Sequence, residues 1–203
     1  IFGFAQIRLA SIFGDRMVIQ RQVSVPIWGT GVKGEKITVA CAEQTVSTTA
    51  DDAGTWMVHL APLNEGGPYD LTVAGRDTVR LTDILVGEVW LCSGQSNMEL
   101  AVEKTANAEK EIASAQYPQI RLFTVKRAVA DSPQTACTGK WLACDSNSVK
   151  PFSGVAYYFG RKLFQDLNVP LGLIHSSYGG SPAEAWMSQH ALESDSTFQP
   201  ILN

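Results

Sequence analysis

The chain changes texture at Asp83, and that change limits the folds open to it. Before Asp83 the sequence runs in short stretches rich in β-branched and aromatic residues, cut by turn residues. Lys36-Ile37-Thr38-Val39-Ala40-Cys41-Ala42 alternates polar and apolar side chains, the period of a strand with one buried face. Residues 23–29, 44–49, 55–60, 69–74 and 78–81 read as further strands. A turn is expected at Asp51-Asp52-Ala53-Gly54, a loop over 62–68 and a hairpin about Gly75-Arg76-Asp77. Roughly seven short strands separated by turns predict a β-sandwich-like domain over residues 1–84. After Asp83 strands and helices alternate. Residues 87–92, 120–125 and 171–174 read as strands, and 99–115 carry a helical pattern dense in charge, with Glu103, Lys104, Glu109, Lys110 and Glu111. Ser153 can cap a second helix in which Val155, Phe159 and Leu163 recur every fourth residue. This alternation predicts an α/β domain over residues 85–203, with a parallel sheet and right-handed crossovers.

The first α/β strand ends in Ser93-Gly94-Gln95-Ser96-Asn97-Met98, a tight turn that presents a hydroxyl at its tip. An open α/β sheet places its reactive groups in the crevice beyond the carboxyl ends of its strands. A serine alcohol is a weak nucleophile, so it requires a base for its proton and donors for the oxyanion. Ser96 is the candidate nucleophile. Asn97 and the amides of the turn are local donors, and the helix that follows would aim its first amides the same way. No local base exists. The turn is not the G-x-S-x-G elbow, because Met98 stands where the second glycine belongs. Ser93 competes from inside the bend.

Composition narrows the classes further. The chain is 45% hydrophobic and 18% charged, which is ordinary for a globular protein. A net charge of −4 argues against nucleic acid, which needs a basic face. No apolar run approaches the ~20 residues of a membrane span. Ile1-Phe2-Gly3-Phe4-Ala5-Gln6 reads equally as the tail of a secretory signal or as an ordinary first strand. Export would place the protein outside the cell, in a periplasm or in a lysosome. Of the four cysteines, Cys41 and Cys92 fall in predicted strands and are expected as buried thiols. Cys137 and Cys144 share one loop, where an exported chain can close a disulfide. The spacing contains no C-x-x-C and no nearby histidine pair, so neither metal nor cofactor is expected.

Three ordered blocks carry a resemblance. Gly87-Glu88-Val89-Trp90-Leu91-Cys92-Ser93-Gly94-Gln95-Ser96-Asn97-Met98-Glu99 resembles the first catalytic block of the sialate O-acetylesterase family. These are carbohydrate acetylesterases of the SGNH (GDSL-like) hydrolase superfamily. Residues 141–162, with Pro151-Phe152-Ser153-Gly154 leading into the predicted helix, resemble the block that follows. Val169-Pro170-Leu171-Gly172-Leu173-Ile174-His175-Ser176-Ser177-Tyr178-Gly179-Gly180-Ser181-Pro182-Ala183-Glu184-Ala185-Trp186 resembles the second conserved loop. The likeness covers essentially the whole chain. It implies a flavodoxin-like three-layer α/β/α domain behind the β-rich leading domain, and a serine esterase acting on O-acetylated sugars. It also implies oxyanion donors at the Ser96 amide and at Gly179 or Gly180, with the lean toward Gly180. Gln95, Tyr178, Glu184 and Trp186 are the candidate sugar contacts, the aromatic rings for stacking and the carboxylate for hydroxyls.

The family takes its base from a late Asp-x-x-His block, preceded by a Gln-Gly-Glu block with a further oxyanion donor, and neither occurs here. His59 falls in a predicted β-domain strand and His190 on a surface helix, so neither is expected to act. His175 closes the third α/β strand and is the sole internal candidate for a base. The chain is therefore expected to be the amino-terminal part of a longer enzyme, partnered by the carboxyl-terminal remainder. Its sheet would then be incomplete, with an unpaired edge and an apolar face. The alternative is a non-catalytic carbohydrate-binding or scaffold protein. A lipase-like esterase is disfavoured because no long apolar lid is visible.

Overall fold

The computed structural model describes residues 7–130 and 132–202. The reading of residues 1–6 as signal or strand lies outside them. In chain order the strands are β1 (Arg8–Leu9), β2 (Val18–Gln20), β3 (Val25–Thr30), β4 (Lys36–Cys41), β5 (Gln44–Thr49), β6 (Thr55–Leu60), β7 (Gly66–Ala74), β8 (Thr78–Gly94), β9 (Tyr117–Thr124), β10 (Trp141–Cys144) and β11 (Leu171–Ser177). Helices α1 (Ser96–Glu99), α2 (Ala108–Ser114), α3 (Ser146–Val149) and α4 (Gly154–Leu167) are interspersed among the later strands. Helices α5 (Gln189–Glu193) and α6 (Gln199–Leu202) follow β11.

Alternation in the sequence becomes alternation in burial. Every second residue of β6 is buried, and Ile37, Val39 and Cys41 point inward from β4. A three-stranded antiparallel sheet, β1-β3-β6, packs on the β7-β4-β5 end of a larger sheet ordered β10-β9-β11-β8-β7-β4-β5, with β2 added to β8. Ile27, Trp56 and Leu60 from one sheet meet Ile37, Val39, Leu71 and Val73 from the other in one core. The pairs β8–β11, β11–β9 and β2–β8 are parallel. Here the sheet is apolar on both faces, as covered parallel sheets are. Ile120 and Leu122 of β9 enter a second core with Tyr157 of α4, Phe152 and Leu173, whereas Phe123 joins the first.

Strand β8 runs seventeen residues, straight through the expected boundary at residues 84 and 85. It pairs with β7 and β2 up to Gly87 and with β11 from Glu88 to Gly94. Beyond Gly87 its other edge meets no strand among the described residues, and Leu91 there is 67% exposed. Asp83 bends β8 with a left-handed backbone, φ 59°. Arg121, buried on β9, donates to both Asp83 carboxylate oxygens at 2.8 and 2.9 Å and holds that carboxyl below its usual range. Gly87 marks the closest approach in the sheet: a Cβ there would stand 1.9 Å from the Pro170 carbonyl oxygen. Gly87→Ala is therefore expected to cost about 3 kcal/mol, since backbone rather than a rotamer must yield. A fall in the urea midpoint at constant slope would measure it; a loss below about 1 kcal/mol would show that the backbone relaxes cheaply.

Two helical readings change. The helix expected over 99–115 is broken into α1, a 3-10 turn (Val102–Lys104) and α2. Tertiary pairing overrides the periodicity: Ala101 bridges to Ser153, and the Val102 amide donates to the Phe152 carbonyl at 2.9 Å. Ser153 does cap α4, accepting from the Ala156 amide. Yet Ala156, Tyr157 and Gly160 turn inward, while Val155 and Phe159 are exposed. Phe159 meets Trp90 edge-on at 5.0 Å. Gly160 lets the helix approach the sheet, where a Cβ would stand 2.5 Å from Leu173, and Leu163 packs partly against the same core. The loop expected over 62–68 is shorter, because β7 begins at Gly66.

All four cysteines are free. Cys41 and Cys92 are buried. Cys144 lies in the second core, where burial pushes its thiol up to about 12, and Cys137 packs at the edge of the first. The disulfide reading for Cys137 and Cys144 is thus corrected, because their thiols sit on different cores. Among the described residues no helix is long and apolar enough to cross a membrane.

Candidate active site

Strand β8 ends at Gly94 and passes through Gln95 directly into α1. Ser96 is the first residue of that single turn and is exposed. Its Oγ donates to Gln95 Oε1 at 3.3 Å. The Glu99 and Leu100 amides find acceptors at the Gln95 and Ser96 carbonyls. The Ser96, Asn97 and Met98 amides, as first-turn donors, have no acceptor within the helix. Ser93 sits inside β8 and does not line the Ser96 cavity.

Strand β11 lies parallel to β8 in a register that sets Ser177 beside Gly94, and the Tyr178 amide donates to the Gly94 carbonyl at 3.0 Å. The Tyr178-Gly179-Gly180 loop therefore starts next to the Ser96 turn. Its two glycines differ. The Gly179 amide donates to Glu99 Oε2 at 2.5 Å, and Glu99 also pairs with Arg127. Gly180 has φ 81°, a backbone suited to glycine, and its N–H meets no acceptor among the described residues.

Ser96 lines a cavity of about 490 Å³ with Glu99, Lys104, Lys126, His175 and Ser177. A neighbouring cavity of about 530 Å³ is lined by Tyr178, Trp186, Gln134 and Thr138. Val125, Lys126, Arg127 and Ser177 line both, so the two form one cleft. A larger hollow of about 690 Å³ lies beside β10 and α3 and does not include Ser96. Of the expected sugar contacts, Tyr178 and Trp186 stand in the cleft. Arg127 covers the Tyr178 ring at 5.5 Å, and Trp186 Nε1 donates to Ser181 Oγ at 2.8 Å. Gln95, Asn97 and Glu184 line neither cavity; Glu184 lies in a 3-10 turn (Ala183–Trp186).

The histidines separate cleanly. His59 is exposed on β6, and His190 is exposed on α5. His175 is buried and lines the Ser96 cavity, but its Nε2 lies 2.6 Å from Ser177 Oγ, and no imidazole bonds Ser96 among the described residues. Burial pushes the His175 pKa down, so the ring is neutral near pH 7. Glu99, Arg127 and Ser177 were not singled out from the sequence. A signal for Glu99 did exist, one helical turn after Ser96, where its carboxylate can reach back across the loop. Among the described residues no group of three or more His, Cys, Asp or Glu side chains is placed to hold a metal ion.

The family model described as carbohydrate esterase, sialic acid-specific acetylesterase, matches residues 86–202. The chain belongs to this family. It is 35% identical over 211 residues to the sialate O-acetylesterase of Rattus norvegicus, an alignment that takes in 92% of this chain and 38% of that protein. With the sialate O-acetylesterase of Homo sapiens the identity is 35% over 207 residues, covering 92% of this chain and 40% of the human one. The chain thus spans about two fifths of the length of these relatives. A crystal structure of a carbohydrate acetylesterase from Xanthomonas citri superposes with a TM-score of 0.91 at 33% identity, over 93% of this chain and 44% of that one. The α/β fold with parallel strands in its main sheet is thus shared with that carbohydrate acetylesterase structure.

Proposed function

We propose that these residues carry the nucleophile and the first oxyanion donors of a serine carbohydrate O-acetylesterase. The observation that carries the reading is Ser96, exposed at the carboxyl end of β8 beside first-turn amides that have no acceptor within the helix, and facing a cleft with an aromatic far wall. In this reading residues 85–203 form the hydrolase unit and 1–84 the β-rich unit that braces it. Ser96 Oγ attacks the acetyl carbonyl, the sugar oxygen leaves with a proton, and an acetyl-enzyme remains. Water then adds to that ester, releasing acetate and restoring the hydroxyl. The Ser96 and Gly180 amides receive the oxyanion. A histidine–aspartate pair from outside the described residues moves the protons. Lys104 and Lys126, neither paired with a carboxylate among the described residues, leave the cleft with excess positive charge, which suits an acidic sugar.

One observation favours a non-catalytic, sugar-binding reading, namely that His175 bonds Ser177 and not Ser96. Gly180 separates the two. Gly180→Ala has open space for its methyl but a disfavoured φ, so it displaces the amide without a clash. The expected result in an active polypeptide is a fall of about 10²-fold or more in kcat, with KM held, because an oxyanion donor acts in the transition state. Raised KM with unchanged kcat would make Gly180 a binding-loop residue and remove it from the oxyanion site, whereas sugar binding with no turnover at all is what the second reading requires.

A further inference from the structure

We infer that the Ser177 hydroxyl is a hydrogen-bond donor to the bound sugar, and that His175 is the positioning residue that fixes its direction by donating Nε2–H to Ser177 Oγ. The contact is 2.6 Å long and buried. Its direction follows from the other ring nitrogen. His175 Nδ1 is buried without a partner among the described residues, with the Phe152 ring edge-on at 5.5 Å between centroids. A neutral imidazole has one N–H and one bare lone pair. An orphaned buried N–H is the rarer and costlier of the two, so the lone pair belongs on Nδ1 and the proton on Nε2. The imidazolium form would orphan an N–H as well. Burial opposes it, Arg127 opposes it further, and only Glu99 favours it.

With Nε2 donating, Ser177 Oγ is the acceptor in this pair, and its own hydrogen is left to find another oxygen. Among the described residues it finds none. Ser177 lines both halves of the cleft, between Ser96 on one side and Tyr178 and Trp186 on the other. A sugar stacked on the aromatic wall with its acetyl ester at Ser96 must pass over this hydroxyl. The imidazole bond also polarises the hydroxyl, which makes it a better donor.

The identity of the ligand rests on the esterase reading; the tautomer does not. The first measurement is therefore ¹⁵N NMR of histidine-labelled protein near pH 7, where His175 is expected as the neutral Nε2–H form. An Nδ1–H or doubly protonated ring overturns the inference. The second is kinetics in an active polypeptide containing these residues. For Ser177→Ala, the ratio of kcat/KM on an O-acetylated sugar to that on p-nitrophenyl acetate is expected to fall about tenfold, the scale of one hydrogen bond. His175→Leu should reproduce that fall, and His175→Gln, which keeps an amide donor, should restore the ratio. An unchanged ratio in folded His175→Leu overturns the inference even if Ser177→Ala cannot be purified. A Ser96→Ala control that stays active would refute the esterase reading alone and leave the tautomer result standing.

Discussion

Ser96→Ala is expected to lower acetyl-ester turnover by about 10⁶-fold in any active polypeptide that contains these residues, the scale on which losing a serine nucleophile acts. Stability should change little, because the side chain is exposed and, among the described residues, bonds only the neighbouring Gln95. Ser93 is the control. It is also exposed, but it points from within β8 and lies outside the Ser96 cavity, so Ser93→Ala should retain activity. Hydrolysis of p-nitrophenyl acetate, with a thermal melt of each variant, decides the matter. Loss of activity on Ser93→Ala with retention on Ser96→Ala would reverse the assignment. Mass spectrometry adds a direct readout: an acetyl-enzyme trapped on the wild-type chain should map to Ser96.

The polypeptide of residues 1–203 by itself is expected to hydrolyse acetyl esters about 10⁶-fold more slowly than an intact serine hydrolase, since removing a catalytic histidine alone costs that much. None of the three histidines bonds Ser96 among the described residues. His59 and His190 are exposed, on β6 and α5, and line neither half of the cleft. His175 reaches the cavity but is engaged with Ser177. Oxyanion donors and binding would leave a residue of about 10³–10⁴ over water. The assay should follow a check by circular dichroism that the chain is folded. Turnover near 10 s⁻¹, the median for enzymes, lost on His175→Ala, would make His175 the base and sink the expectation.

Legibility followed locality. The period-two pattern of Lys36–Cys41 and the strand-to-turn passage at Gly94-Gln95-Ser96 are local signals, and both elements form where they were read. The helix over 99–115 failed because Val102 donates to Phe152, fifty residues away, a pairing invisible in its own window. The inner face of α4 lies one position on from the Val155–Phe159 stripe, because Gly160 sits against Leu173 and Tyr157 fills the second core, while Leu163 packs partly against it. The His175–Ser177 pair was readable in principle: two positions apart on a strand, the side chains share a face. What the sequence could not display was that the imidazole Nδ1 is buried with no partner among the described residues.

The long strand β8 has a mechanical consequence. Two-part enzymes commonly admit substrate by swinging one part against the other about a flexible linker. Here the connection is a paired strand, and its left-handed residue at the joint, Asp83, is clasped by the buried Arg121 guanidinium and backed by the Thr82 amide bonded to Asp15. Such a joint resists bending. In the proposed esterase, entry and exit of a sugar would therefore fall to the short segment after β11, where Trp186 stands on a 3-10 helix and Tyr178 just past the strand, neither of them on the sheet.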